Sequence, residues 1–488
     1  MTESRRAGWT LALVCLAAVL LTLDITIVNV ALPQIATELS ARLDGLQWVI
    51  NGYSLAFSAL LLIAGSISDR VGRRAIFTAG VFLFTAASAA CGLAWSPAAL
   101  VAFRIAQGVG GAMVMGTAMA LLAGAYPPGR ARQGAIGAFS AAGAAAAGLG
   151  PLAGGVLTDT LGWRWIFWIN VPVGLVLVIG GLVRLREPVR EAPVGRIDVA
   201  GAVLAVSMLF SLNYALIAGP EGGWDSPWVL AALGAGALLL AAFVTVEARR
   251  PHAVLDVRLF RIPSFTGAVL LTFLARVTSF GILPFLILWL QGMLGHSPLE
   301  TGLRLLAMTL PILIVAPMAG RLARRVPASR LMAAGFSLVA LAFVLMAGIR
   351  ADSSWLVALP GLILLGVGGA LAFPPLLGVT LDLVPAERAG MASGLSNTFF
   401  PLGTAAGVAT FGAIFTSRIG AELPEHGAAV AAGRFDLVSE PARQAAREAL
   451  TGALGVTCLV AAGAALAAVV ISLVLVRSAD AHPLPVRT

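Results

Sequence analysis

Gly65-Ser-Ile-Ser-Asp-Arg-Val-Gly-Arg-Arg74 is a charged stretch that lies between two strongly apolar segments of this chain. A tight bend favours Gly72, because glycine adopts backbone conformations that are closed to other residues. Asp69, at a helix end, can accept hydrogen bonds and pair with arginines. The three arginines of the stretch can hold it at a phospholipid surface: Arg70, Arg73 and Arg74. We therefore expect a short cytoplasmic turn between two membrane-spanning helices.

The composition is that of an integral membrane protein. Of the 488 residues, 59% are hydrophobic and 11% are charged, with a mean hydropathy of +0.95, whereas soluble domains carry about 25% charged residues. The net charge of +9 comes from arginine, since the chain contains no lysine. In a membrane protein this basic balance reflects topology. We expect a lipid bilayer and a small-molecule substrate as partners, no nucleic acid, and a monomer.

Fourteen apolar runs are long enough to cross a bilayer, which takes about 20 helical residues. The sequence therefore predicts an all-α polytopic protein. The fourteen predicted spans, numbered in chain order, are Thr10–Leu32, Leu46–Ser68, Ala75–Ala94, Ala98–Ala125, Gly134–Leu157, Ile166–Val183, Val199–Ile217, Trp228–Val246, Phe265–Trp289, Leu299–Leu322, Leu331–Gly348, Trp355–Leu381, Ala389–Phe415 and Leu450–Val476.

The arginines predict the orientation, because short loops rich in arginine stay cytoplasmic. They concentrate in the even-numbered connections between spans, from Arg70 to Arg388, whereas the short connections opposite hold only Arg42, Arg164 and Arg350. Both termini are therefore expected in the cytoplasm, with the protein in the inner (cytoplasmic) membrane. The long polar segment at about 417–449 is expected to be an external loop.

Internal repeats predict two related halves. Gly108-Val-Gly-Gly-Ala112 recurs as Gly366-Val-Gly-Gly-Ala370, and Ala64-Gly65 is matched by Ala319-Gly320. We expect a six-helix half at 1–185, two extra helices with cytoplasmic linkers at 186–262, and a second six-helix half at 263–488. Parallel halves of this kind hold a substrate cavity near the bilayer midplane and rock about it.

Charged residues in the middle of a span are costly and are usually functional. Asp24 and Arg104 fall at similar depths in spans 1 and 4, so they can form an ion pair if those spans face each other. A carboxylate that is switched by rearranging this pair suits a proton-coupled carrier. The alternative is a permanent pair that only orients two helices. Arg276 in span 9 can bind an anionic or carbonyl group of a substrate, or a backbone carbonyl near a break at Gly281 and Pro284.

Other polar and small residues inside the spans are candidate site residues. Span 5 contains a proline that removes a backbone hydrogen bond, and glycines that permit close approach of a neighbouring helix: Gly150, Pro151, Gly154 and Gly155. The further candidates to line a substrate cavity are Asn29, Trp48, Asn51, Tyr53, Gln107 and Asn397. Each of these polar groups can instead form a helix–helix hydrogen bond.

Several motifs together resemble the fourteen-helix drug:proton antiporter branch of the major facilitator superfamily. The stretch from Gly65 to Arg74 resembles its signature between helices 2 and 3, and Leu23–Pro33 its helix-1 signature. Arg104-Ile-Ala-Gln-Gly108 and Gly150-Pro-Leu-Ala-Gly-Gly155 resemble its helix-4 and antiporter motifs, and Trp163–Gly174 its stretch into helix 6. The resemblance implies the major facilitator fold, proton coupling through Asp24 and Arg104, and export by exchange.

One departure from that pattern bears on the substrate. Relatives often carry arginine and glutamine after an Asn-Thr pair in helix 13, but here Phe399-Phe-Pro401 follows Asn397-Thr398. Since Asp24 is the only deep carboxylate, we expect monovalent lipophilic cations or neutral and zwitterionic drug-like substrates. The alternatives are a dedicated exporter of one endogenous product, such as an antibiotic or a lipid, and more distantly a membrane receptor or scaffold.

No enzymatic activity is expected, because the chain shows no nucleophile with a base, no metal-ligand cluster and no phosphate-binding loop. Its three cysteines lie in apolar runs and read as packing residues: Cys15, Cys91 and Cys458. We expect no metal and no cofactor, with the proton as coupling ion.

Overall fold

The computed structural model describes residues 3–126, 130–185, 187, 199–249, 260–322, 325–382 and 389–477. Within these ranges the regular elements are helices, so the all-α fold class is confirmed. Helices dominate because a bilayer offers no hydrogen-bond partners, and a helix satisfies its backbone groups internally.

The predicted spans all coincide with helices. Spans 1–5 are α1 (Glu3–Glu38), α2 (Leu43–Val71), α3 (Arg73–Gly92), α4 (Pro97–Ala125) and α5 (Arg130–Leu161), and span 6 is α6 (Trp165–Trp168) with α7 (Asn170–Val183). Spans 7–9 are α8 (Val199–Gly222), α9 (Pro227–Arg249), and α10 (Pro263–Gly281) with α11 (Leu283–Leu288) and a π-helical turn at Trp289–Met293. The remainder are α12 (Pro298–Leu322), α13 (Ala328–Met346), α14 (Leu359–Asp382), α15 (Ala389–Glu422), the short α16 (Gly427–Ala431) and α17 (Arg443–Val474).

Length and composition support the membrane assignment. Eleven stretches within the described part of the chain are long and apolar enough to cross a membrane. The three other predicted spans correspond to α2, α8 and α15, with 29, 24 and 34 residues, which is more than a bilayer requires. The count of fourteen spans is therefore consistent with the helices found.

The turn expected at 65–74 is much shorter than predicted. Helix α2 continues through Val71, and the only non-helical residue before α3 is Gly72, with φ of 126°. Its backbone N–H still donates to the carbonyl oxygen of Ser68 at 2.9 Å. Only glycine adopts such a φ easily, so one residue replaces the expected loop.

The segment at 417–449, which we expect to lie outside the membrane, contains more helix than a loop would. Helix α15 extends to Glu422 and α17 begins at Arg443, so helices occupy both ends of the segment. Between them, Val430 and Val438 are buried in the same apolar core as α11 and α17. The segment covers that core, because its alanine and valine side chains face inward.

Two faces of the bundle are useful for orientation. The terminal face is where α1 begins and α17 ends. There, the Arg184 guanidinium lies 5.2 Å from the Trp9 ring, and the backbone N–H of Arg477 donates to Ser264 Oγ. The distal face is opposite, at the end of α1 marked by Glu38, whose carboxylate accepts from Trp163 Nε1 at 2.8 Å.

The apolar cores form two groups of helices. Helices α1–α7 share cores around Phe77 and Ile166, and α10–α17 share cores around Phe343 and Phe336. Helix α8 packs against both groups, and its Leu209 shares an apolar cluster with Leu55 of α2 and Ala405 of α15. Helix α9 packs outside α8.

Candidate functional site

A buried polar cluster surrounds Asp24, midway along α1. Asp24 has no exposed surface, and Arg104 of α4 is 2% exposed. Arg104 Nη1 lies 2.5 Å from Asp24 Oδ2 in a buried ion pair. The other carboxylate oxygen, Oδ1, accepts from Gln107 Nε2 and from Asn170 Nδ2, each at 2.8 Å. The ionised carboxylate thus has three donors, as a buried charge requires.

The cluster extends to further helices. Arg104 Nε donates to the Val49 carbonyl oxygen of α2 at 3.2 Å, and its guanidinium carbon lies 4.3 Å from the centroid of the Tyr53 ring. Gln107 and Asn170 both donate to Ser88 Oγ of α3, at 3.2 and 3.0 Å. Side chains and backbone of α1, α2, α3, α4 and α7 therefore converge on one ion pair, and any movement of Arg104 disturbs several helices.

Sequence reasoning singled out Asp24, Arg104 and Gln107 but assigned no role to Ser88 or Asn170. Both are uncharged, so neither raises the insertion cost that marks a charge in a span. One feature of the sequence could have marked Asn170 as a candidate site residue, since it is the polar residue just before the apolar run of α7.

The charged motif after α2 is stabilised by a residue that the sequence did not single out. The Glu187 carboxylate accepts from the backbone N–H groups of Arg73 and Arg74 at the start of α3. Arg74 Nε donates to the Gly181 carbonyl oxygen at 3.1 Å and its Nη2 to that of Leu182. These two arginines therefore bind protein groups as well as lying near the surface. The side chains of Asp69 and Arg70 are outside the described part of the chain.

The glycines of span 5 face two different helices. A Cβ at Gly150 would lie 1.8 Å from Thr26 Oγ1 of α1, and one at Gly154 would lie 2.8 Å from the Ile27 carbonyl oxygen. A Cβ at Gly155 would instead lie 2.5 Å from the Pro298 carbonyl oxygen of α12. Pro151 is also at this contact, because its carbonyl oxygen would lie 2.5 Å from a Cβ at Gly302. The motif thus joins the two groups of helices.

The candidate cavity residues are distributed over several places. Tyr53 and Gln107 lie against the Asp24–Arg104 pair and are buried. Asn29 is buried and donates to carbonyl oxygens of its own helix at 3.3 and 3.4 Å. Asn51 is buried, and Trp48 is partly buried near Leu55 and Leu209. The Asn397 side chain is outside the described part of the chain.

Arg276 is held between aromatic rings in the second group of helices. Its guanidinium carbon lies 4.9 Å from the ring centroids of Phe280, one turn along α10, and of Phe373 on α14. Its Cβ lies close to Gly403 of α15. The side chain therefore lies among α10, α14 and α15, and cation–π contacts help to hold it.

The two groups of helices make close contacts on the distal side. Helix α5 meets α12 at Gly155 and Gly302, as described above. Gln291 Nε2, in the π-helical turn, donates to the Val30 carbonyl oxygen of α1 at 2.9 Å. A Cβ at Gly412 of α15 would lie 1.5 Å from Gln47 Nε2 of α2. We call these contacts together the distal seam.

Comparisons with known proteins agree on one family. The model of the Major Facilitator Superfamily matches residues 14–267 and 268–477. The "Multidrug resistance protein Stp" of Mycobacterium tuberculosis (strain CDC 1551 / Oshkosh) is 37% identical over 404 residues, covering 83% of this chain and 75% of that protein. The "Tetracenomycin C resistance and export protein" of Streptomyces glaucescens is 37% identical over 420 residues, covering 85% and 77%.

Among solved structures, a bacterial homolog of the human lysosomal transporter Spinster, in an inward-facing and unoccupied conformation, has the same fold. Its TM-score is 0.69 at 19% identity, over 98% of this chain and 99% of that chain.

Proposed function

Because this chain belongs to the major facilitator superfamily, we propose that it exports drug-like lipophilic or cationic small molecules across the cell membrane in exchange for protons. Its family is one of membrane-embedded transporters. Relatives named for multidrug resistance and for tetracenomycin C resistance and export support efflux. We propose no cofactor besides the coupling proton, and a monomer in the bilayer as the working unit.

The observation that carries the coupling proposal is the fully buried Asp24–Arg104 pair. A proton that binds Asp24 removes one charge of the pair and leaves Arg104 without its counter-charge. An unpaired charge in a buried site is costly, so Arg104 must then move or find another partner. Arg104 also bonds the α2 backbone and contacts Tyr53 of α2. A movement of Arg104 after protonation of Asp24 would therefore shift α2 relative to α1 and α4.

We infer that the terminal face is cytoplasmic and that the halves at 1–185 and 263–488 rock about a cavity between them. The distal seam supports an arrangement in which the external side is closed. Protons would then reach Asp24 from outside only after the seam opens. Substrate would enter from the cytoplasm, with Arg276 and the polar groups at Asn29, Trp48 and Asn397 as candidate contacts.

A second candidate, a dedicated exporter of one endogenous product, is favoured by the relatives named for single compounds. The relative named for tetracenomycin C is an example. A multidrug exporter and a dedicated exporter would use the same proton site. The number of unrelated compounds that the protein transports therefore distinguishes them.

The test uses inside-out membrane vesicles energised with a proton gradient, with the wild type and Asp24→Asn at equal protein levels. A panel of chemically unrelated drugs is added, and accumulation is followed before and after nigericin collapses the gradient. The proposal expects nigericin-sensitive accumulation of several drugs by the wild type only. Accumulation of one compound alone favours the dedicated exporter, and accumulation insensitive to nigericin contradicts proton coupling.

A further inference from the structure

One stripe of α2 forms part of the distal seam. Gln47 contacts Gly412 of α15, and Leu55 packs against Ala405 of the same helix and Leu209 of α8. Residues four apart lie on one face of a helix, so Asn51, between Gln47 and Leu55, also faces this junction of α2, α8 and α15. The packing is tight, because Gln47 Nε2 occupies the space that a side chain at Gly412 would need.

The Asn51 side chain is buried in this junction. It has no exposed surface, and neither its Nδ2 nor its Oδ1 has a partner among the described residues. Most buried polar atoms in native proteins are paired, so an exception calls for an explanation. Asn29 provides the contrast, because its amide nitrogen is bonded to carbonyl oxygens of α1.

A second buried asparagine, Asn213, lies on α8. Leu55 of α2 and Leu209 of α8 share an apolar cluster. The two helices run in opposite directions, so Asn51 and Asn213 each lie one turn from these leucines toward the distal face. Asn213 is 2% exposed, and its Nδ2 donates to the Leu209 carbonyl oxygen at 3.1 Å. Its Oδ1 has no partner in the described part of the chain. Three amide atoms on α2 and α8 are thus buried and without a partner among the described residues.

Burying these unpaired atoms raises the free energy of the state in which the distal seam is closed. A buried polar group without a partner disfavours the state that buries it by roughly tenfold or more in population. If α2 and α15 separate, water reaches Asn51 and the penalty disappears. The Asn51 amide therefore disfavours the closed seam and favours the open one.

We propose that Asn51, together with Asn213 on α8, destabilises the closed distal seam and so sets the balance between the two access states of the transporter. Asn51 acts as a positioning residue in this account, and the extra helix α8 contributes to the balance. The inference rests on the proposed alternating access. It replaces the expectation that Asn51 lines the substrate cavity with a role in opening the exit.

The test replaces Asn51 with leucine, which keeps the γ-branched shape and removes the amide. Spin labels at Thr37→Cys and Glu425→Cys report the distance across the distal face, in a chain whose three native cysteines are replaced by alanine. Asn51→Leu is expected to raise the ratio of closed to open populations about tenfold and to raise the melting temperature in detergent. Thr457→Val, the control at a buried hydroxyl of α17, is expected to do neither, because that hydroxyl is already bonded to the Ala453 carbonyl oxygen of its own helix.

Unchanged or more open distances in Asn51→Leu would overturn the proposal. A lower melting temperature or failure to fold would also overturn it, since either shows that the amide stabilises the closed seam. A wild type that stays in one population with and without ethidium and a proton gradient would count against the alternating access itself. The melting temperatures would still test Asn51 in that case.

Discussion

Asn170 Nδ2 lies 2.8 Å from Asp24 Oδ1, although 146 residues separate the two in sequence. The contact joins the start of α7 to the middle of α1, and Asn170 also bonds Ser88 on α3. The proposed proton site is therefore more than an aspartate–arginine pair. The Asp24 carboxylate accepts hydrogen bonds from side chains of α4 and α7, so replacing any one of these donors is expected to change the coupling of protons to drug.

Asn170→Ala is expected to slow drug-driven proton exchange about tenfold, because a hydrogen bond to a charged group contributes about 1.5–3 kcal/mol. Proteoliposomes with an internal pH-sensitive dye measure this rate. Thr457→Ala is the control, since Thr457 is equally buried but, among the described residues, its hydroxyl bonds to the Ala453 carbonyl oxygen of its own helix. Equal rates for the two variants would remove Asn170 from the proton site.

Two substitutions of Tyr53 distinguish the contribution of its ring to drug export from that of its hydroxyl. Its hydroxyl has no hydrogen-bond partner among the described residues, whereas its ring lies against Arg104. Tyr53→Phe is therefore expected to keep near wild-type drug export, and Tyr53→Leu to lose about tenfold, because a desolvated cation–π contact contributes about 2 kcal/mol. Initial rates of ethidium efflux measure both. A Phe variant as impaired as the Leu variant would show that the hydroxyl matters.

Gly155→Ala tests the contact between α5 and α12. The added methyl group would meet a backbone oxygen at 2.5 Å, and overpacking of this kind costs about 1–3 kcal/mol. We expect more of the open distal state in spin-label distances and slower export. Gly137→Ala is matched on the same helix, because a Cβ there meets none of the described atoms within 4 Å. If Gly155→Ala left the closed population unchanged, the distal seam would tolerate a wider spacing between α5 and α12.

Glu187→Gln weakens the start of α3. The carboxylate stabilises the N-terminal end of that helix, where backbone N–H groups and the helix dipole favour an anion. Hydrogen exchange at Arg73 and Arg74 is expected to become roughly threefold faster, with the difference shrinking at high salt. Glu422→Gln, an exposed acid at the end of α15, is the control. Exchange that does not change at 73–74 would contradict this role of Glu187.

The sequence was sufficient to predict the helices because each apolar run is long enough to cross a bilayer. It also identified Asp24 and Arg104, because a charge inside such a run stands out. Asn170 and Ser88 were missed, since an uncharged polar residue costs little in a span and its partner lies on another helix. The depth of Asn51 in the junction of α2, α8 and α15 likewise depends on packing between distant parts of the chain.

Local errors have local causes. Charge and glycine content suggested a loop at 65–74, but arginine and aspartate are compatible with a helix that reaches the surface, and Gly72 alone makes the turn. In the segment at 417–449, polarity hid the helix-forming alanines and the valines that pack inward. Polar composition indicates contact with water on one side of a segment, and it does not exclude a helix.

The central claim is that Asp24 carries the proton that is exchanged for drug. Its most direct test is proton release on addition of ethidium to proteoliposomes under an imposed proton gradient, with the wild type and Asp24→Asn compared at matched reconstitution. The account predicts that ethidium dissipates the gradient with the wild type and that Asp24→Asn gives no response. Equal dissipation by both proteins would contradict the claim, because the exchanged proton would then have to bind elsewhere.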